Sequence, residues 1–242
     1  MNEQKKYEFT GEIKVVFGIN FKQIRAIINF GCVVAGEIGG WIECEENLSQ
    51  SGNAWVSGNA RVSGNAWVSG NARVFGDARV SGNAWVSGDA RVSGNAWVSG
   101  NARVFGDARV SGNAWVSGNA RVFGDARVSG DAWVSGNARV SGDAWVSGNA
   151  WVSGNAWVSG NARVKKDDDY MVIGGAGRYN RFTTFFKCRD KTIKVICGCF
   201  FGTIIEFRAK VKETHKGNKH EKVYLAMADM AELQIGNDEV EK

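Results

Sequence analysis

Residues 51 to 164 form an uninterrupted series of nineteen six-residue repeats, and this short fixed period constrains the fold more than any other feature. Each repeat contains serine or phenylalanine, glycine, asparagine or aspartate, alanine, tryptophan or arginine, and valine, in that order. A chain with such a period folds as a solenoid, in which each repeat buries its apolar side against its neighbours. The architecture therefore follows from the role of each position in the repeat.

Alanine and valine lie two residues apart in every repeat, as at Ala54 and Val56. Side chains alternate between the two faces of a strand, so both point to one side and the intervening tryptophan or arginine points to the other. The remaining three residues favour a turn, because glycine and asparagine tolerate positive φ. The repeat thus predicts short strands with a small apolar inside and an aromatic or cationic outside.

Three repeats complete one triangular coil, so the nineteen repeats give a little over six coils. Coils about 4.8 Å apart make a prism roughly 30 Å long. An aliphatic residue followed four positions later by a small one is similar to the hexapeptide motif of left-handed β-helices. We therefore predict a mainly β fold, a left-handed parallel β-helix with a small N-terminal β cap and a C-terminal α+β domain.

Stacking the coils sorts the outward residues into three columns. The first column contains a run of arginines at Arg73, Arg91, Arg109 and Arg127. The second ends in four consecutive tryptophans, here called the tryptophan ladder: Trp97, Trp115, Trp133 and Trp151. An apolar strip of this size favours burial against another copy, so we expect a homo-oligomer, a dimer or trimer, through this face. Alternatively, the rings stack on one another and stabilise their own sheet.

The repeat phase can be continued backwards into a degenerate first coil over residues 36–50. Its inward positions are predicted to be Gly36, Ile38, Ile42, Cys44, Leu48 and Gln50. Residues 1–35, with strands expected at 7–17 and 21–30, form a cap over the open edge of the sheet.

The segment 165–242 has ordinary complexity and is predicted to be the C-terminal α+β domain. Strands are expected at 170–174, 182–188 and 191–199. Thr203 followed by Glu206 is a capping box for a helix that ends near His215. A second helix is expected over 221–233.

The net charge of +5 is concentrated on the repeats and the C-terminal domain. This excess suits a small anionic ligand but is weaker than the basic stripe of a dedicated nucleic-acid-binding protein. Five cysteines and the absence of a signal-peptide pattern indicate a cytoplasmic protein with free thiols. No apolar stretch is long enough for a membrane-spanning helix, so no membrane association is expected.

The sequence contains no recognisable catalytic group, and we expect neither enzymatic activity nor a cofactor. Its two histidines, His215 and His220, lie outside the repeats and are expected to be surface residues without an orienting acid. Cys197 and Cys199 are predicted to share one face of a strand near Cys188, a set too small for a zinc site. Buried free cysteines are the interpretation, with no metal.

A glycine-rich segment near residue 175 is the candidate ligand site. Glycines allow close backbone approach, arginines pair with phosphate, and an aromatic ring can stack on a base. The predicted ligand-binding residues are Gly175, Gly177, Arg178, Tyr179, Asn180, Arg181, Thr183 and Thr184. A plain turn between two strands is the alternative.

Three stretches carry a family resemblance: FKQIRAIINFGCVVAGEIGGWIECEENLSQSGNAWV, the GNARV and GNAWV repeats, and GGAGRYNRFTTFFKCRDKTIKVICGCFFGT. Together they resemble the YdcK-like hexapeptide-repeat proteins common in phages and prophages. The resemblance covers nearly the whole chain and implies the architecture. It also implies possible sequestration of host immune nucleotides, as some phage solenoid proteins do.

The leading hypothesis is a non-enzymatic, homo-oligomeric phage or prophage accessory protein that binds an anionic, nucleotide-like ligand through its C-terminal domain. A purely structural scaffold is the alternative. An acyltransferase-like enzyme that lacks the usual solenoid histidine is the second alternative.

Overall fold

The computed structural model describes residues 5–176 and 181–236. The chain begins with an antiparallel hairpin of β1 (Tyr7–Val16) and β2 (Ile19–Ala26). Strand β3 (Ile38–Ile42) pairs with β2, and a single-turn 3-10 helix (Glu45–Asn47) leads to the repeats.

Each repeat contributes one two-residue strand, numbered β4 to β22 in chain order. Their bounds are Trp55–Val56, Arg61–Val62, Trp67–Val68, Arg73–Val74, Arg79–Val80, Trp85–Val86, Arg91–Val92, Trp97–Val98, Arg103–Val104, Arg109–Val110, Trp115–Val116, Arg121–Val122, Arg127–Val128, Trp133–Val134, Arg139–Val140, Trp145–Val146, Trp151–Val152, Trp157–Val158 and Arg163–Val164.

These strands form three parallel sheets, and each strand from β4 to β19 pairs with the strand three repeats further on. Arg91 is opposite Arg109 on the first face, Trp97 is opposite Trp115 on the second, and Arg103 is opposite Arg121 on the third. The three predicted columns are therefore confirmed, and the protein is a β-solenoid. Strands β1, β2 and β3 extend the sheet of the second face.

The core is built from the alanine and valine of every repeat, all of which are at most 1% exposed. Small side chains are required because three sheets converge on one narrow axis, and bulkier residues would overfill it. The alternation predicted from the repeat is confirmed.

The corner of each repeat is a tight turn with glycine at its first central position. Repeat glycines have φ between +61° and +72°, and in most serine-containing repeats the alanine N–H donates to the serine carbonyl. Positive φ at this position alone is the signature of a type II′ turn, which glycine favours. Consecutive corners stack so closely that a Cβ on Gly118 would lie 2.9 Å from the backbone nitrogen of Gly136.

The coil before the repeats is shifted by two residues from the predicted phase. Ile42 pairs with Val62 and Leu48 bridges to Val68, so Ile42 and Leu48 occupy valine-like core positions. The prediction was wrong for the other inward positions, which are exposed or only partly buried: Gly36, Ile38, Cys44 and Gln50. The cause is the connection from Leu48 to Ala54, which is two residues longer than the corresponding step between repeats.

Two polar side chains close the N-terminal end of the solenoid. The ammonium group of Lys6 donates to the carbonyl oxygen of Ala54 at 2.8 Å and lies 5.0 Å from the centre of the Phe30 ring. Asn47 is fully buried; its amide oxygen accepts from two backbone N–H groups, and its amide nitrogen donates to the carbonyls of Gly64 and Ala66. Backbone groups at the open end of the coil are thereby paired.

The C-terminal domain is a four-stranded antiparallel sheet with two helices. Its strands are β23 (Tyr170–Ala176), β24 (Arg181–Lys187), β25 (Ile193–Cys197) and β26 (Phe200–Thr203), preceded by a 3-10 turn (Asp167–Asp169). Its helices are α1 (Ile204–His215) and α2 (Lys219–Gly236). The predicted capping box is confirmed: the Thr203 hydroxyl accepts from the Glu206 N–H, and the Glu206 carboxylate accepts from the Thr203 N–H.

The C-terminal sheet packs directly on the last coil. Phe186 and Ile196 join the apolar core of the solenoid, and the Thr184 hydroxyl accepts from the Trp157 N–H at 3.1 Å. Among the residues that the structure describes, no helix is long and apolar enough to cross a membrane.

Candidate functional site

A cavity of about 700 Å³ lies in the C-terminal domain, where the turn between β25 and β26 faces the two helices. This volume is in the range of small-molecule sites. We call it the C-terminal pocket. Four basic side chains line it, Arg181, Lys210, His215 and His220, and none of the described lining residues is acidic.

The histidines lie in this pocket rather than apart on the surface. The His215 ring is 5.8 Å from that of His220 and stacks on Tyr224 at 5.4 Å. The end of α1 and the start of α2 bring them together, since the two helices pack side by side after a short connection. The prediction of two surface histidines is thus only partly right, because both rings are half-buried and have ring neighbours.

Aromatic side chains form the inner wall of the pocket. Phe207 packs edge-on against Tyr224 with ring centres 5.9 Å apart, and Phe200 lies 5.5 Å from Phe207. Burial, together with the nearby Cys197 thiol, raises the pKa of Tyr224 to about 12. The phenol therefore stays protonated at neutral pH and can donate a hydrogen bond.

Cys197 and Cys199 do not share a strand face, contrary to the prediction. Strand β25 ends at Cys197, and Gly198, with φ +62°, forms a two-residue turn with Cys199. Cys199 is exposed, Cys197 is half-buried and accepts from the Thr183 hydroxyl, and Cys188 is buried. Burial raises the pKa of the Cys188 thiol. The described part of the chain contains no cluster of three or more residues suited to bind a metal.

The glycine-rich segment is only partly described. Gly175 has φ +75°, and Arg181 lines the C-terminal pocket. Thr183 and Thr184 are buried, and their hydroxyls bond to Cys197 and to Trp157 respectively, which directs them away from a ligand role. The other predicted residues lie outside the described residues: Gly177, Arg178, Tyr179 and Asn180.

The tryptophan ladder is a continuous stack of parallel rings. Ring centres of successive members are 4.8, 4.8 and 5.0 Å apart, with interplanar angles of 1° to 11°. Each indole N–H donates to a serine hydroxyl sixteen residues earlier at 3.1–3.2 Å. The stacking that we considered as the alternative to an interface is therefore present, although Trp151 remains 48% exposed.

This indole bond accounts for where the repeats carry phenylalanine in place of serine. Phe75, Phe105 and Phe123 lie sixteen residues before an arginine in each case, never before a tryptophan. A tryptophan there would leave its N–H without the hydroxyl acceptor that it has elsewhere.

Asparagine side chains form a second ladder at the corner between the second and third faces. Each amide nitrogen donates to the next amide oxygen at 3.0–3.1 Å. This asparagine ladder comprises Asn65, Asn83, Asn101, Asn119, Asn137 and Asn155. The corner between the third and first faces instead carries stacked aspartates at Asp89, Asp107, Asp125 and Asp143.

The pocket of helix and sheet was not anticipated from the sequence. The segment predicted as a ligand loop contributes Arg181, but the other basic groups come from α1 and the first turn of α2. Lys210 and the two histidines near a helix end were a sequence signal for a basic site. Whether they meet in one pocket, however, depends on how the two helices pack.

Comparison with known proteins agrees with this architecture. Ten overlapping segments that together span residues 54–160 match the family model described as the YdcK Beta solenoid repeat. A search of curated proteins found no match. Since the same residues fold into parallel coils of identical period, residues 54–160 of this chain are YdcK beta solenoid repeats.

Proposed function

We propose that the protein is a non-enzymatic binding protein whose C-terminal pocket holds a small anionic, nucleotide-like ligand, with the solenoid as a rigid support. The pocket's composition carries this proposal: four basic side chains and three aromatic rings surround one cavity. Basic groups pair with phosphate, and aromatic faces stack on a base.

The biological setting follows from the family resemblance. The resemblance to YdcK-like proteins of phages and prophages suggests an accessory role in the host cytoplasm. In this role the protein would bind and sequester its ligand without catalysing a reaction on it. Lys210 forms an ion pair with Glu213 at 2.9 Å. Among the described residues, neither the His215 ring nor the His220 ring bonds to a carboxylate that would orient it as a general base; their ring neighbours are each other and Tyr224.

Calorimetric titration with cyclic dinucleotides and cyclic ADP-ribose-type compounds tests this site. We expect a Lys210→Ala/His215→Ala variant to bind roughly 10- to 100-fold more weakly, since each loses a charge-assisted or polar contact. The control is Arg91→Ala/Arg109→Ala on the solenoid, which should bind as the wild type does. Equal weakening in both variants would place the ligand elsewhere.

Two alternatives stay open beside this proposal. A wild-type protein that binds no compound in the panel would favour a purely structural scaffold. Turnover of an acyl-CoA by the wild type, lost on replacing His215 or His220 by alanine, would favour an acyltransferase-like enzyme instead.

We also propose that copies of the chain associate through the tryptophan ladder. The stack leaves ring edges in contact with water along its four coils, and Trp151 is the most exposed member. Burying such a strip between two copies removes apolar area from water. The hydroxyl bonds of the indoles fix the rings in place, so little side-chain entropy is lost on association.

Sedimentation velocity tests the association. The wild type is expected to be a dimer or trimer, and Trp115→Arg/Trp133→Arg should be a monomer because stacked arginines repel across the interface. The matched control, Trp67→Arg/Trp85→Arg, changes the same repeat position on the third face and should retain the wild-type state. A monomeric wild type contradicts the proposal.

A further inference from the structure

We propose that the third face of the solenoid binds a linear acidic polysaccharide in a groove that runs along the coils. The groove consists of two adjoining clefts, of about 480 and 370 Å³, that share Asn137. On one side lies the asparagine ladder and on the other an arginine run, Arg103, Arg121 and Arg139. The groove meets the C-terminal pocket at Arg181, which lines both cavities, but the three arginines and the asparagine ladder lie on the solenoid. The proposal does not depend on the ligand proposed for that pocket.

The arginines of this groove are exposed and available to a partner. Within the described residues, no solenoid arginine forms an ion pair with a carboxylate. Arg103 and Arg139 lie over the rings of Trp85 and Trp157, and Arg121 lies between them. Three like charges about 4.8 Å apart repel one another, and a bound polyanion relieves that repulsion.

The corner residues distinguish this run from the longer arginine run of the first face. Each third-face arginine follows an asparagine by two residues, as Asn119 precedes Arg121. On the first face an aspartate holds the same position before Arg91, Arg109 and Arg127, whereas an asparagine precedes Arg73. These aspartates lie two residues before first-face arginines but four residues after the outward positions of the third face, so they weaken the positive potential of the first face more.

The guanidinium and amide groups that line the groove indicate the kind of ligand that it binds. Guanidinium groups bind carboxylate or sulfate through two parallel hydrogen bonds. Each ladder asparagine uses one of its two amide hydrogens within the ladder, and the second can donate to a hydroxyl. Regular anionic groups together with many hydroxyls are the chemistry of an acidic polysaccharide.

A single-stranded nucleic acid fits the groove less well. Such ligands stack their bases on open aromatic faces. Here the Trp85 ring has Trp67 stacked on one side at 5.2 Å and Arg103 over its ring at 5.5 Å, so its faces are covered. Trp85, beside the asparagine ladder, therefore gives no platform for bases.

Binding of a uronic-acid oligosaccharide and of a sulfated oligosaccharide, each long enough to span the three arginines, tests the proposal by calorimetry. Arg103→Ala/Arg121→Ala should weaken binding roughly 10-fold or more, with a smaller dependence on salt. Arg91→Ala/Arg109→Ala removes the same charge from the first face and should change affinity less than about threefold. Unchanged circular dichroism establishes that both variants are folded.

A second variant tests the same site without removing an arginine. Asn119→Asp places a carboxylate beside Arg121, as on the first face, and should also weaken binding several-fold. Equal losses in both double variants, no binding of either oligosaccharide by the wild type, or tighter binding of single-stranded DNA than of both sugars would overturn the proposal.

Discussion

Replacing Gly118 with alanine should destabilise the protein by about 3 kcal/mol, although the residue is on the surface of a corner. A left-handed φ of +66° costs an alanine about 1–2 kcal/mol. The new Cβ would also lie 2.9 Å from the nitrogen and 3.0 Å from the oxygen of Gly136. Relieving that overlap requires two coils to separate, which adds about 1–3 kcal/mol.

The chain contains a matched control at the same corner, two coils further on. Gly154 has φ +65° and the same flanking serine and asparagine, but a Cβ there would have no neighbour within 4 Å. Gly154→Ala should therefore cost only the backbone term, about 1–2 kcal/mol. Urea unfolding followed by tryptophan fluorescence measures both, and equal losses would show that coil spacing is not limiting.

Asn47→Ala should cost about 3–5 kcal/mol, the largest loss expected from one polar side chain here. Its amide makes four hydrogen bonds, of 2.9 to 3.1 Å, to backbone groups at the first coil. Alanine leaves those buried donors and acceptors without a partner, and each such group costs about 1–3 kcal/mol before water enters. The loss of contacts should be localised to the N-terminal end of the solenoid.

The exposed Asn65 gives the comparison. Its amide makes one ladder bond, to Asn83 at 3.1 Å, and water can replace it. Asn65→Ala is expected to cost about 0.5–1 kcal/mol. Hydrogen exchange should show faster exchange of the Cys44 N–H, which donates to Asn47, in Asn47→Ala but not in Asn65→Ala. Similar exchange in both would contradict a capping role for Asn47.

The columns of the solenoid could be predicted because they depend on arithmetic alone. A strict period places Trp97 beside Trp115 whatever the details of the corner, and the alternation of a strand sets which side faces inwards. The inward positions of the first coil were predicted wrongly because extending the six-residue period backwards assumes that no connection is longer than in the repeats. Ile42 and Leu48 point inwards in both the predicted and the observed phase. Their apolar side chains therefore did not reveal the shift.

The C-terminal pocket was harder to anticipate for a different reason. Strand and helix signals around Thr203 were local and proved correct, but the meeting of Arg181 with His215 joins residues far apart in sequence. Such contacts depend on how helices pack on a sheet, which local patterns do not encode. Gly198 likewise turned an expected continuous strand into a hairpin, because its φ of +62° reverses the chain.

The uniform repeat also makes the molecule adjustable in discrete steps of length and angle. Because the repeats are nearly identical, unequal exchange between gene copies can add or delete whole repeats. Three repeats change the length by about 4.8 Å and return every column to its face. A single repeat instead turns everything beyond it by a third of a revolution about the axis. The C-terminal pocket would then face a different side from the N-terminal hairpin. A change between Trp97 and Trp151 would also divide the tryptophan ladder between two faces. Only chains that differ by multiples of three repeats present the same surfaces in the same directions.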